Sequence, residues 1–372
     1  MTTETKTSST STSSLFSPLT LRGAVFKNRL GMSPMSTHQA EDGFFNDWHL
    51  VHLGSRAVGG YGLIIAEATG VSPEGRISPG DTGLWKDDHV APLKRIADFV
   101  KAQGAVAGIQ LAHAGRKASA ARPWEGDHHL KEEEGGWEIV APSAIAFGDQ
   151  LWKVPRELSV EEILAIQDKF ASAAKRAVDA GMQVVEIHAA HGYLLHEFYS
   201  PLSNKRTDNY GGSFENRTRF LVETVNKIRA AIPAETLLFV RISSTDWDPQ
   251  GWTLDDSVAL TKVLGTLGVD LVDVSSAFVI PNYASIPFGK GFQLPLSDRI
   301  RRDTGVPTAT VGFITEAEEA EEIVVSGKAD LVLQGRESLR DAYFPFHAAQ
   351  ALKLEAPTSI FPSQYSHWLK RR

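Results

Sequence analysis

Two hydrophobic patterns alternate along the chain. Short apolar runs, rich in Val, Ile and Leu and bounded by glycine or polar clusters, predict strands over 29–33, 61–68, 106–111, 182–187, 237–242, 271–274, 308–311 and 329–333. Between them lie segments whose apolar positions recur every three to four residues. These predict helices over 47–58, 89–103, 160–180, 214–231, 254–267, 297–303, 316–326 and 338–351. Eight strand–helix units are the count of an α/β fold of the (β/α)8 TIM-barrel kind, so one barrel domain is expected over 15–352. A doubly wound open sheet, with two domains, is the competing architecture. It is disfavoured because no Gly-x-Gly-x-x-Gly follows any strand and no proline-rich linker divides the chain.

The alternation breaks once at length, over 117–157, too long for an ordinary connection. This excursion follows the third strand and so falls on the face where barrel enzymes do chemistry. Its 131–136 stretch, Lys-Glu-Glu-Glu-Gly-Gly, reads as solvated and mobile, while Trp124, Trp137, Phe147 and Trp152 either roof a pocket or bury the excursion against the barrel. Residues 1–14, almost wholly Ser, Thr, Lys and Glu, read as a disordered tail. Residues 353–372 form a C-terminal tail.

Composition narrows the function. The 372 residues carry a formal charge of −7, which gives no reason to expect nucleic acid or an anionic membrane as partner. The absence of cysteine excludes disulfides, thiolate chemistry and cysteine-held iron–sulfur clusters. No apolar run approaches membrane-spanning length and the N-terminus lacks a signal-peptide core, so the cytoplasm is expected.

Chemistry-bearing residues gather where strands end. The run 182–187 is followed by His188-Ala189-Ala190-His191-Gly192-Tyr193, two imidazoles and a phenol at a strand's C-terminal end. Such histidines are also common as satisfied structural residues or as half of a metal site, although no His-Glu-x-x-His or cysteine supports zinc. Further on, Ser200-Pro201-Leu202-Ser203-Asn204-Lys205-Arg206-Thr207-Asp208-Asn209-Tyr210 leads to a Gly211-Gly212 turn, with Ser213 placed to cap the next helix. Gln110 ends the third strand. Arg241 ends the fifth, where a salt bridge with Asp246 is the plain alternative to a ligand role. Gly312 after the seventh strand, and Gly335 with Arg336 after the eighth, form the usual phosphate cradle of such barrels.

The His188–Tyr193 motif and the 200–217 segment together resemble the old yellow enzyme family of FMN-dependent ene reductases. Met32-Ser33-Pro34-Met35, the 108–117 run Gly-Ile-Gln-Leu-Ala-His-Ala-Gly-Arg-Lys and Ala141-Pro142-Ser143-Ala144-Ile145 are similar to its thermophilic-like subgroup, which has fungal relatives. The likeness runs from about Phe16 to the tail. It implies FMN held by Pro34, Met35, Ser36, Ala66, Gln110, Arg241, Gly312, Gly335 and Arg336. It implies NAD(P)H as reductant and a small electron-poor alkene as substrate, reduced in a ping-pong cycle. His188 and His191 would bond the substrate's oxygen, with Tyr193 the proton donor. A homo-oligomer, dimer or higher, is implied as well. Three positions depart from the pattern: Ser36 replaces a flavin-tuning cysteine, His38 replaces a substrate-contacting tyrosine, and His367 stands where an arginine reaches a neighbouring subunit. The first two leave room for a desaturase or double-bond isomerase on the same barrel. A flavin-free phosphate-binding barrel is the reading from a different class.

Overall fold

In the computed structural model, which describes residues 13–370, the short apolar runs pair side by side in parallel and close into an eight-stranded barrel. Its strands, first to eighth, are Leu30–Met32, Leu63–Gly70, Val106–Ala112, Val184–Ala189, Leu237–Ser243, Leu271–Ser275, Thr308–Val311 and Leu331–Gln334. Each pairs with its neighbour in sequence, and the eighth closes on the first with Val332 opposite Leu30. This is a (β/α)8 TIM barrel. Both faces of every strand are covered, which is why the strands read as continuous apolar runs.

Side chains alternate across the wall. Leu63, Ile65, Val106, Val184, Leu237, Phe239, Leu271 and Leu333 fill the interior, while Ile64, Val185, Ile187, Val240, Val272 and Val332 pack outward with the helices. A step further along the inner faces the filling turns polar: Gln110, Glu186, Arg241 and Asp273 are all buried. That change marks the floor of the site.

The opposite end is closed by a hairpin, Leu19–Leu21 paired with Ala24–Phe26, whose Phe26 is buried against the interior cluster. Its two turn residues, Arg22 and Gly23, both have positive φ (43° and 84°), as a two-residue turn between right-twisted strands requires.

The surrounding helices follow the predicted spans closely through Ala317–Val325, and Ser213 caps Phe214–Ala231 by accepting from the Asn216 amide. The sixth begins at Leu294, ahead of the expected 297. The last expected helix, 338–351, is two: Arg336–Arg340 and Phe344–Ala351. Asp341 Oδ1 accepts the Tyr343 amide at 2.9 Å, and Pro345 has no N–H for a bond back into the first piece.

Between Ala112 and Val160 the excursion carries single helical turns and one parallel pair, Val140–Ala141 with Arg156–Glu157. Arg206 pins it by donating to the carbonyls of Pro142 (3.1 Å) and Leu158 (2.7 Å). Much of the polar 200–217 motif therefore holds backbone. Asn204 likewise donates to the carbonyls of Phe198 and Tyr210. Residues 1–12 of the expected disordered tail lie outside the described residues. Ser13 and Ser14 are described, and both bond the Glu321 carboxylate. Among the described residues no helix is long and apolar enough to cross a membrane.

Candidate active site

Val184, Glu186 and His188 share the inner face of the fourth strand, so the strand's own alternation delivers His188 to the barrel mouth. His188 is buried, and its Nδ1 accepts the Ala190 amide at 3.3 Å. That leaves Nε2 as the proton-bearing nitrogen of a neutral ring. Burial, then the Arg241 charge, hold its pKa well below the usual value. His191 sits at φ 58°, an unusual conformation for a residue with a side chain, followed by Gly192 at 69°. Two hydroxyls fix it: Ser243 Oγ accepts its amide at 2.9 Å, and Ser275 Oγ lies 2.6 Å from its Nε2. The His188 ring is edge-on to those of His191 (centroids 5.2 Å apart) and Tyr193 (4.8 Å). Burial, with the charges of Asp81 and Asp127, raises the Tyr193 phenol above its ordinary value.

Lys117, the end of the 108–117 motif, was not singled out by sequence reading. Its Nζ donates to the carbonyls of His191 (2.8 Å) and Phe278 (2.6 Å), and it lies over the Phe147 ring at 4.2 Å. Burial and the neighbouring Arg116 bring its pKa down to about 7.

Beside this cluster a cavity of about 290 Å³ runs from the barrel floor to the loops after the seventh and eighth strands. Met35, Arg241, Gly312, Gly335 and Arg336 all line it, as does Ser275. Arg241 donates from Nη1 to Ser33 Oγ (3.1 Å) and faces Asp273 at 3.2 Å, but its Nε has no aligned acceptor. The pair with Asp273 is thus a charge contact with no directed hydrogen bond. At the far end the Arg336 guanidinium rests on the Phe313 ring, 4.4 Å from its centroid, and Arg340 also lines the wall. Gly312 has φ 127°, and a Cβ on Gly335 would stand 2.8 Å from Met35 Sδ. A buried guanidinium with an unpaired N–H, two glycines that keep the wall open, and two arginines opposite suit a planar, phosphate-bearing cofactor. The residues fit FMN.

Gln110 and Glu186 close the floor, with Gln110 Nε2 donating to Glu186 Oε1 at 2.8 Å. Burial, and then the Asp273 charge, raise Glu186; burial likewise raises Asp273. Periodicity read Glu186 as one more strand residue, because only the closed barrel brings strands three to six around one axis.

Several expectations need correction. Asp246 is not the partner of Arg241; it pairs with His196 at 2.9 Å and accepts from Ser200. Ala66 packs in the strand–helix layer, and a bulge between Ala66 and Ala68 brings Ala68 opposite Gln110. The excursion's aromatics do not line the cavity: Trp124 and Trp152 are exposed, and Trp137 bonds the Glu74 carbonyl. Phe278, Phe288, Phe292 and Phe313, from the loops after the sixth and seventh strands, line it instead. His38 does not line the cavity either. At φ 53°, its Nδ1 lies 2.8 Å from both Asp81 Oδ1 and Ser78 Oγ. Burial opposes its charging, but the Asp81 hydrogen bond and charge win and raise its pKa. Pro34 is buried and Ser36 half-buried on the same segment.

Comparison with known proteins follows the same lines. A family model described as NADH:flavin oxidoreductase / NADH oxidase matches residues 14–355. The NADPH dehydrogenase of Geobacillus thermodenitrificans (strain NG80-2) is 48% identical over 347 residues, covering 92% of this chain and 96% of that protein. An NADH:flavin oxidoreductase of Gibberella zeae is 45% identical over 346 residues, covering 89% and 84%. The solved structure of a morphinone reductase in complex with tetrahydroNAD superposes with a TM-score of 0.75 at 26% identity, covering 95% of this chain and 96% of that one.

Proposed function

The chain belongs to the NADH:flavin oxidoreductase / NADH oxidase family, an FMN-dependent oxidoreductase with NAD(P)H as reductant, and from that premise we propose that it reduces activated C=C bonds. The substrates are enones, enals, maleimides and nitroalkenes. The observation that carries this reading is the contact of His188, His191 and Tyr193 beside the cavity, with a proton on His188 Nε2 and a raised phenol.

When bound, FMN supplies a two-electron carrier that accepts hydride equivalents from NAD(P)H and passes them to the alkene. Gln110 and Arg241 would hold its pyrimidine end, and Gly312, Gly335 and Arg336 would hold the phosphate. His188 Nε2–H donates to the substrate's carbonyl or nitro oxygen, which gathers charge as the β-carbon is reduced. His191 gives a second donor there when its ring turns from Ser275. Tyr193 delivers the proton to the α-carbon, its raised pKa keeping the phenol protonated at neutral pH. The tyrosinate regains its proton from solvent. Ser36 tunes the flavin's surroundings in place of a thiol, and His38, drawn to Asp81, leaves room above the cavity.

Anaerobic incubation with NADPH and a cyclic enone or maleimide tests the reading, with product identified by mass. Stoichiometric saturated product is expected. NADPH oxidation that occurs only with oxygen or a quinone, with no alkene reduced, would overturn it.

A further inference from the structure

Two carboxylates and one guanidinium share the barrel floor, and all three are buried: Glu186 and Asp273 at 0% exposure and Arg241 at 6%. Arg241 is already committed to Asp273 and Ser33. Glu186 is left with one partner, the Gln110 side-chain amide, and its Oε2 has none. The charged and titratable groups facing it are Arg241 from the fifth strand and Asp273 from the sixth, with His188 two residues on along its own strand. With both carboxylates ionised this layer would hold an uncompensated buried charge, which costs more than retaining a proton.

We propose that Glu186 is a proton-controlled switch on the Gln110 amide, deciding whether the floor offers the flavin a hydrogen-bond donor or an acceptor. Ionised Glu186 can only accept, so Gln110 turns Nε2 toward it, as it does in the structure, and Oε1 is then the end of the amide offered to the flavin. Neutral Glu186 carries an O–H that needs an acceptor, and Gln110 Oε1 is the one beside it. The amide then turns end for end and points its N–H groups at the flavin. Oxygen and nitrogen of the amide are nearly the same size, so the turn displaces nothing else. Only the Glu186 O–H bond is made or broken, its proton exchanging with solvent. Reduced flavin is richer in electrons at this end than oxidised flavin, so the donor arrangement favours reduction. Burial and the Asp273 charge push the Glu186 pKa up to about 8, so the floor is a donor at neutral pH and loses that character in mild base.

This inference rests on the reading that Gln110 faces the flavin, and the test separates the two. The midpoint potential of FMN in the holoenzyme is measured from pH 6 to 10 for the parent, E186Q and Q110L. The amide that E186Q introduces does not titrate and, like the neutral acid, can donate to Gln110 Oε1. The parent is expected to show an additional fall in potential above about pH 8, amounting to roughly a tenfold loss in preference for reduced flavin, the worth of one hydrogen bond. E186Q should lack that inflection while keeping the parent's neutral-pH potential. A parent with no inflection, or an E186Q variant that retains it, overturns the proposal. Should E186Q fail to fold, Q110L decides: an inflection that persists without the amide overturns the switch, and its loss supports it. If Q110L leaves both the potential and the FMN affinity at parent values at every pH, Gln110 does not touch the flavin and the underlying reading fails instead.

Discussion

His191 Nε2 stands 2.6 Å from the Ser275 hydroxyl, so a ring expected to serve the substrate is engaged by the sixth barrel strand. Ser275 and Ser276 in turn donate to Gln293 Oε1, and Gln293 Nε2 donates to the Val311 carbonyl at 2.7 Å. The chain runs in one direction from imidazole to seventh strand and satisfies every member when Nε2 carries the His191 proton. His188 is then the donor already free, and His191 joins it by leaving Ser275.

Ser275→Ala removes the competing acceptor without touching the imidazole. The affinity of the oxidised enzyme for a cyclic enone should rise about fivefold, the net worth of one neutral hydrogen bond. Titration followed by the flavin absorbance measures it. A weakened affinity would mean that Ser275 orients the ring for substrate.

Arg336→Ala should loosen FMN at its phosphate end. The guanidinium rests on Phe313, which holds it toward the glycine pair, and alanine removes a charge-assisted partner. Such bonds are worth roughly 1.5–3 kcal/mol, so the FMN dissociation constant should rise about ten- to a hundredfold. Flavin fluorescence on dilution reads the release. Retention at parent affinity would shift the phosphate role to Arg340, the other arginine lining the cavity.

The barrel was legible because its strands are buried on both faces and its helices on one, so each leaves its own period in the sequence. Gly312 and the Gly335-Arg336 pair were legible as strand-end residues for a related reason, since each directly follows an apolar run, and the structure places all three on the cavity wall. What escaped depends on contacts far apart in the chain. His38 turns aside because Asp81, 43 residues on, holds its ring. Glu186 looks like any strand residue until closure sets it opposite Gln110, 76 positions earlier. The bulge before Ala68 shifts which alanine meets the third strand, and no residue pattern announces it. The phenylalanines around the cavity lie in irregular loops, where periodicity says nothing.

Glu197→Gln tests burial through pH. Glu197 is fully buried, accepts the Arg116 amide at 2.9 Å, and has a second oxygen without a partner. Burial raises its pKa to about 8, against the lowering influence of Arg116 and Lys117. A carboxyl raised in the folded state binds its proton there while the unfolded chain has released it. Its stabilising contribution is therefore complete below the ordinary value of 4.5 and is lost as pH rises to about 8. Glutamine has the same shape and does not titrate. Relative to the parent, Glu197→Gln should gain on the order of a few kcal/mol between pH 5 and 8, read from urea unfolding. A parent-to-variant difference that stays flat with pH would mean the carboxylate is charged in the fold.

Tyr193→Phe separates the two halves of the proposed cycle. The phenol adjoins His188 through ring contact at 4.8 Å, and the Lys117 ammonium lies 5.6 Å from its centroid, so phenylalanine keeps the packing and loses only the proton. Flavin reduction by NAD(P)H requires no proton from this residue and should proceed near the parent rate. Reoxidation by an enone needs the α-carbon protonated, and a positioned acid typically contributes about a hundred- to ten-thousandfold. A loss near the lower end is expected, since water can enter the space the hydroxyl leaves. A nitroalkene should suffer less, because its product anion is stable enough to depart unprotonated. Stopped-flow absorbance resolves the two steps. Equal losses in both would make Tyr193 a residue that shapes the nicotinamide site, while unchanged reoxidation would move the proton source elsewhere. Lys117, with a pKa lowered to about 7 and its ammonium over the same ring, is then the group to replace next.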